Sequence, residues 1–124
     1  MTESVMFTKS KAFALRIVRL YKYLRERKES VIAKQMLRSG TSIGANIAES
    51  RYAQSKADFI AKLQIALKEA AETQYWLELL RDAELVDGDK AFTSICDDCT
   101  ELLKLLTASV KTAKEKSQSQ GTMI

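Results

Sequence analysis

Two small groups of side chains in this 124-residue sequence have types and spacings that could support chemistry. Glu69 and Glu72 stand three positions apart, which places them on one face of a helix. Together with Glu49 they could form a carboxylate cluster of the kind that binds a metal ion. Cys96 and Cys99 have the C-x-x-C spacing of redox and zinc motifs.

The composition argues against catalysis at either group. The sequence contains no His, which is the commonest general base and metal ligand. A structural zinc site uses four Cys or His ligands, and only two Cys are present. Cys99 falls in an apolar helical stripe, so we interpret it as a core residue and Cys96 as a boundary residue. We interpret the glutamates as hydrogen-bond partners between helices, of Ser42, Asn46 or an arginine, and keep a ligand or metal role as the alternative. We expect no catalytic residue, no cofactor and no metal.

The segment 35–49 combines an apolar helical stripe with a line of polar side chains. Ser42, Asn46 and Glu49, at i, i+4 and i+7, share one side of the predicted helix. Such a line contributes nothing to an apolar core, so it must serve a hydrogen-bond network, an interface or a ligand. Gly44 within a helix costs roughly 1 kcal/mol relative to Ala, and this cost predicts the close approach of another helix there.

A basic region at the start of the chain is the second candidate site. Residues 1–28 carry eight Lys or Arg against two Glu, whereas the whole chain has a net charge of +4. Such a region attracts phosphate backbones or an acidic partner, and tyrosines among the basic residues can stack on bases. No sequence-reading motif accompanies it, so binding would be non-specific, and a merely solvated basic face is the alternative. The candidate nucleic-acid-binding residues are Lys9, Lys11, Arg16, Arg19, Lys22, Tyr23 and Arg27.

Four amphipathic segments position these residues. The absence of Pro and the presence of only four Gly favour long helices with short connections. The spacing of apolar residues predicts helices over 10–27, 30–50 and 55–83 and a fourth that ends at 116. We predict Ser10 as the first N-cap, a capping box from Ser55 to Asp58, and Asp87 or Asp89 as the fourth N-cap. The resulting fold is an all-α, antiparallel up-down-up-down four-helix bundle over residues 10–116. Residues 1–9 form an N-terminal extension and residues 117–124 a disordered tail.

The chain resembles the bacterial four-helix-bundle family named for proteins encoded within intervening sequences of 23S rRNA genes, formerly described as ribosomal protein S23. The resemblance rests on residues 35–49 (Q-x-x-R-S-x-T-S-I-x-A-N-I-A-E), on residues 59–66 and on the glutamates that follow. The sequence departs from the family at Ser50, where Gly is frequent. The resemblance implies a homopentameric ring. Related accessory variability proteins of diversity-generating retroelements are similar basic pentamers that bind nucleic acid together with a reverse transcriptase. The signature polar positions carried over are Ser42, Asn46, Glu49, Glu69 and Glu72.

These observations predict a non-enzymatic, homo-oligomeric bundle that binds RNA or DNA non-specifically through the basic first helix. An alternative is a protein–protein adaptor that uses the face formed by Ser42, Asn46 and Glu49. The third interpretation is an enzyme that uses the glutamate cluster with a metal. The partners expected are further copies of the chain, RNA or DNA, and a protein such as a reverse transcriptase. We expect a cytoplasmic protein without a membrane association, since no apolar run or secretory leader is present and only two Cys occur.

Overall fold

Four antiparallel helices form the structure. The computed structural model describes the backbone of residues 2–121 and the side chains of residues 5–118, and this part contains no strand. The helices are α1 (Thr2–Glu26), α2 (Val31–Ser50), α3 (Lys56–Asp82) and α4 (Lys90–Gly121). α1 and α3 each pack against both α2 and α4, so the predicted up-down-up-down bundle is confirmed for these residues. None of the described helices has both the length and the apolar character that crossing a bilayer requires.

Side-chain caps define where α3 and α4 begin. The amide of Asp58 donates to Ser55 Oγ at 3.0 Å, and the Asp58 carboxylate accepts from the amide of Gln54 at 3.2 Å. Asp89 Oδ1 accepts from the amide of Phe92 at 2.8 Å. Each contact satisfies a backbone donor that has no partner within the helix. The capping box is therefore confirmed, and Asp89 is the cap of α4.

α1 and α3 are each followed, two positions after their last residue, by a residue with left-handed backbone. Lys28 has φ 65° and Glu84 has φ 58°. The amide of the next residue donates to a carbonyl five positions earlier: Glu29 to Leu24 and Leu85 to Leu80, each at 2.9 Å. This pattern is the Schellman motif, which normally places Gly at the left-handed position. Backbone hydrogen bonds therefore fix the C-terminal ends of both helices.

Two predicted boundaries are corrected by the structure. α1 begins at Thr2 and includes most of the expected N-terminal extension, because Met6 continues the buried stripe of Phe13 and Ile17. Ser10 is consequently not an N-cap but a buried residue within the helix, whose Oγ donates to the carbonyl of Phe7 at 3.0 Å. α4 continues to Gly121, so the predicted disordered tail is wrong over 117–121, where no Pro or Gly precedes residue 121 to stop the helix. Residues 122–124 lie outside the described residues.

Glycines of α2 allow a close contact with α1. A Cβ placed on Gly40 would lie 2.9 Å from Ile17 Cγ2, and one on Gly44 would lie 3.4 Å from Ser10 Oγ and 3.5 Å from the Ser10 carbonyl oxygen. The approach predicted at Gly44 is present, and the tighter one is at Gly40. Ser39, also buried on α2, forms a hydrogen bond of 2.8 Å with the Thr73 hydroxyl of α3. α2 is thus joined to α1 by small residues and to α3 partly by buried hydroxyls.

Substituting the two glycines by alanine should affect stability differently. We expect Gly40→Ala to lower the free energy of unfolding by about 1–3 kcal/mol, because the added methyl overlaps Ile17 in a packed core. Gly44→Ala should leave stability unchanged or raise it by up to about 1 kcal/mol, since its methyl meets ordinary contact distances and Ala favours a helix. Urea unfolding of both variants measures the difference. Equal effects would contradict the packing assigned to Gly40.

Candidate functional site

Arg16 of the predicted basic flank is directed at α4 and is partly buried. Its guanidinium donates to Asp98 Oδ2 at 2.7 Å, to Ser94 Oγ at 3.0 Å and to the carbonyl of Ala91 at 3.2 Å. A charge-assisted contact supported by two further hydrogen bonds is stronger than an isolated surface pair. Arg16 therefore holds α1 against α4, and its charge is largely compensated within the protein.

Lys9, Tyr23 and Arg27 also meet acidic residues. Lys9 Nζ lies 2.8 Å from Glu101 Oε1. Arg27 lies 3.9 Å from Asp87 Oδ2 and stacks on the ring of Tyr23, with 4.5 Å from the guanidinium carbon to the ring centroid. The Tyr23 hydroxyl donates to Asp87 at 3.4 Å. These contacts are exposed or long, so each contributes at most about 1 kcal/mol to the free energy of unfolding.

The other three candidates, Lys11, Arg19 and Lys22, are exposed on α1. None of them takes part in an ion pair within residues 5–118. The seven candidates therefore divide into four that are paired or in contact with acids and three that are not. Sequence reasoning missed this division, because the acids belong to α4 and to the connection before it, and the register between distant helices is not visible in the sequence.

A groove of about 440 Å³ lies beside this flank, between the C-terminal half of α1 and the start of α4. From α1 and the turn that follows it, the groove is lined by the residues that the i, i+3, i+7, i+11 spacing brings together: Arg16, Arg19, Tyr23 and Arg27. The opposite wall includes Asp87 and Asp89, and the apolar lining is Leu20, Val86, Ala91, Phe92 and Ile95. The groove thus has an apolar floor and a rim that carries charges of both signs.

The polar line of α2 forms mostly local hydrogen bonds. Ser42 Oγ donates to the carbonyl of Arg38 at 2.7 Å, and Asn46 Nδ2 donates to the carbonyl of Ser42 at 2.8 Å. Only Glu49 reaches another helix, where it accepts from Lys62 Nζ of α3 at 3.1 Å. The three signature residues therefore do not form one network across the bundle.

Arg38, which belongs to the family motif but had no predicted role of its own, joins Glu69 and Glu72 to α2. It donates to Glu69 at 3.3 Å and makes a short contact with Glu72. Glu72 also accepts from Trp76 Nε1 at 2.8 Å. The hydrogen bonds from Trp76 and Arg38 hold the pKa of Glu72 below its usual value, and Glu72 in turn raises the pKa of Arg38. The interhelical hydrogen bonding expected of the two glutamates is made with an arginine, and Ser42 and Asn46 do not take part.

The glutamates named above are held in separate ion pairs, and burial affects both thiols. Glu49 is paired with Lys62, whereas Glu69 and Glu72 are paired with Arg38. The described part of the chain contains no group of three side chains placed to hold a metal ion. Cys99 is buried with its Sγ 3.5 Å from the carbonyl of Ala70, and burial raises its pKa to about 12. Burial also raises the pKa of the Cys96 thiol. Both thiols are therefore protonated at neutral pH, and neither is an activated nucleophile.

Comparison with known proteins points to one family. A family described as 23S rRNA-intervening sequence protein matches residues 2–108. A crystal structure from Bacteroides thetaiotaomicron VPI-5482, described as a protein with unknown function from the S23 ribosomal protein family, is 57% identical in sequence. That alignment covers 90% of this chain and 99% of the other, with a TM-score of 0.85. No curated protein matches the chain.

The contact between α2 and α3 should make stability depend on acid pH. Because the folded-state pKa of Glu72 is lowered, its contribution is complete above the ordinary glutamate pKa and is lost as the pH falls through the folded value. We expect Glu72→Gln to be less stable than the wild type at pH 7, and this difference to shrink at about pH 3.5. Urea unfolding at the two pH values measures it.

The indole donor provides the control for this prediction. In a Trp76→Phe background the hydrogen bond from Trp76 Nε1 is absent. The loss of unfolding free energy caused by Glu72→Gln should therefore change less with pH in that background. A difference in unfolding free energy that is the same at both pH values would contradict the role of Glu72.

Proposed function

The chain belongs to the 23S rRNA-intervening sequence protein family, and from this premise we propose that it is a non-enzymatic, homo-oligomeric bundle that binds RNA or DNA through α1. One observation carries the proposal: Lys11, Arg19 and Lys22 are exposed and have no ion-pair partner in the described part of the chain. Unpaired cations attract the phosphate backbone whatever the base sequence is. The binding is therefore salt-dependent and sequence-tolerant.

The length of α1 suits a nucleic-acid strand. Lys11 and Lys22 stand eleven positions apart, which corresponds to about 16 Å along a helix. Phosphates of one strand follow at about 3.4 Å per step along a duplex axis, so this part of α1 is long enough to meet several of them. Lys9 and Arg16 contribute less, because Glu101 and Asp98 compensate their charges.

Exposed apolar side chains support self-association. On α3, Ile65 is 43% exposed and Tyr75 is 57% exposed, and Val31 at the start of α2 is 76% exposed. These side chains belong to helices other than α1, so copies of the chain can meet through them while Lys11 and Lys22 stay free. Head-to-tail contacts between two different surfaces form a ring where the rotation closes. A pentamer, as the resemblance implies, would carry about +20, five times the +4 of one chain, and would bind multivalently. A light-scattering mass near the 13.9 kDa of one chain would contradict this part of the proposal.

A protein–protein adaptor is the second candidate function. It is favoured by Tyr52, which is 83% exposed just after α2 and lines a shallow depression together with Glu49 and Lys62. Exposed tyrosines are enriched at protein interfaces. A protein partner, such as a reverse transcriptase, would dock there without any nucleic acid. The test is a pull-down from native lysate with and without nuclease treatment. Loss of every protein partner after nuclease treatment would argue against the adaptor.

Removing the unpaired cations should weaken binding and its salt dependence. We expect the triple variant Lys11→Ala, Arg19→Ala, Lys22→Ala to bind RNA at least about tenfold more weakly at low salt. The slope of log affinity against log salt should fall in magnitude by about 2–3, because each lost phosphate contact releases about one counterion fewer. Fluorescence anisotropy with a structured RNA at several salt concentrations measures both quantities.

A matched variant separates position from net charge. Lys34→Ala, Lys56→Ala, Lys68→Ala removes the same charge from exposed positions on α2 and α3. This control should lose less affinity than the α1 variant. Equal losses would assign binding to overall charge, and no binding of the wild type at low salt would overturn the nucleic-acid function.

A further inference from the structure

We infer that the groove between α1 and the start of α4 holds one unstacked nucleotide of a single-stranded RNA or DNA. The inference rests on the proposed nucleic-acid binding and adds to it a site and a preference. Single strands should bind more tightly than duplexes, because only an unpaired base can leave the stack at little cost and enter a groove.

The size and the floor of the groove suit a base. Its volume of about 440 Å³ lies within the range of about 300–1,000 Å³ found for small-ligand sites. Leu20, Phe92 and Ile95 line it, and the last two are buried members of the core. These side chains offer an apolar surface at the bottom of a site whose rim is polar. An extruded base has the same division, with apolar faces and polar edges.

Tyr23 and Arg27 provide a planar surface at the rim. The Arg27 guanidinium stacks over the Tyr23 ring at 4.5 Å, and both residues line the groove. Aromatic rings and guanidinium planes are the surfaces on which proteins stack unpaired bases. The contacts of Tyr23 and Arg27 with Asp87, at 3.4 and 3.9 Å, are long enough to be exchanged for contacts with a ligand.

The charges of the rim match a nucleotide better than a free phosphate. Arg19 lines the groove without an ion-pair partner among residues 5–118, and so it can meet the phosphate. The Asp89 carboxylate is occupied as the N-cap of α4, whereas the Asp87 side chain is 76% exposed. The Asp87 carboxylate would repel a bare anion but can accept from the N–H groups on the edge of an unpaired base. In a duplex those groups are already used in base pairing.

The test compares one labelled oligonucleotide as a single strand and as a duplex. We expect wild-type protein to bind the single strand more tightly at equal salt concentration. Tyr23→Leu should weaken single-strand binding about fivefold or more, because a stacking surface is lost. Its duplex binding should fall much less than its single-strand binding, since no phosphate contact is removed. Tyr52→Leu, at an exposed tyrosine outside the groove, should change neither.

A crosslinking measurement keeps the inference testable if Tyr23→Leu fails to fold. A single strand that contains 5-iodouridine should photo-crosslink to Tyr23 of the wild-type protein, as identified by mass spectrometry, and not to Tyr52. Equal binding of single strand and duplex, with no effect of Tyr23→Leu and no adduct at Tyr23, would overturn the groove as a nucleotide site and leave the proposed function standing. No binding of either form at low salt would overturn both.

Discussion

The contact of Arg16 with Asp98, Ser94 and the Ala91 carbonyl is the interaction on which the rest of this account depends. It joins the first helix to the last and so closes the cycle of packed helices. It also decides which positive charges of α1 remain available. The Arg16 charge, held by a carboxylate 2.7 Å away, is partly neutralised, whereas Arg19 one turn further along makes no ion pair within residues 5–118.

The opposite side of the bundle is held together by different means. α2 meets α1 through glycines that admit Ile17 and Ser10, and it meets α3 through Arg38, which binds Glu69 and Glu72. Most of the family signature therefore lies on α2, a helix that packs against both α1 and α3. Its residues explain the fold better than they explain a binding site, and this leaves α1 and the groove beside it as the surface on which the proposed function rests.

Much of the fold could be predicted from the sequence, because helix periodicity and caps are local properties. The capping box at Ser55 and the N-cap of α4, predicted as Asp87 or Asp89 and found at Asp89, are examples. Ser10 was misassigned because its residue type suits a cap, whereas its burial depends on packing against Gly44 of α2. For the candidate site, the sequence predicted which residues share one flank but not which of them form ion pairs. The spacing placed Arg16, Arg19, Tyr23 and Arg27 on one flank, but their pairing depends on the register of α4, which no local pattern encodes.

The most direct test of this account is to release the paired cations of α1 and measure RNA binding. The double variant Asp98→Asn with Glu101→Gln removes the charge from the carboxylate partners of Arg16 and Lys9. The control double variant, Glu78→Gln with Asp82→Asn, removes the same amount of charge from α3. Fluorescence anisotropy at several salt concentrations should show that the α4 variant gains more affinity and a steeper salt dependence than the α3 variant. Equal changes in the two variants would contradict the claim that pairing with α4 determines which cations of α1 can bind nucleic acid.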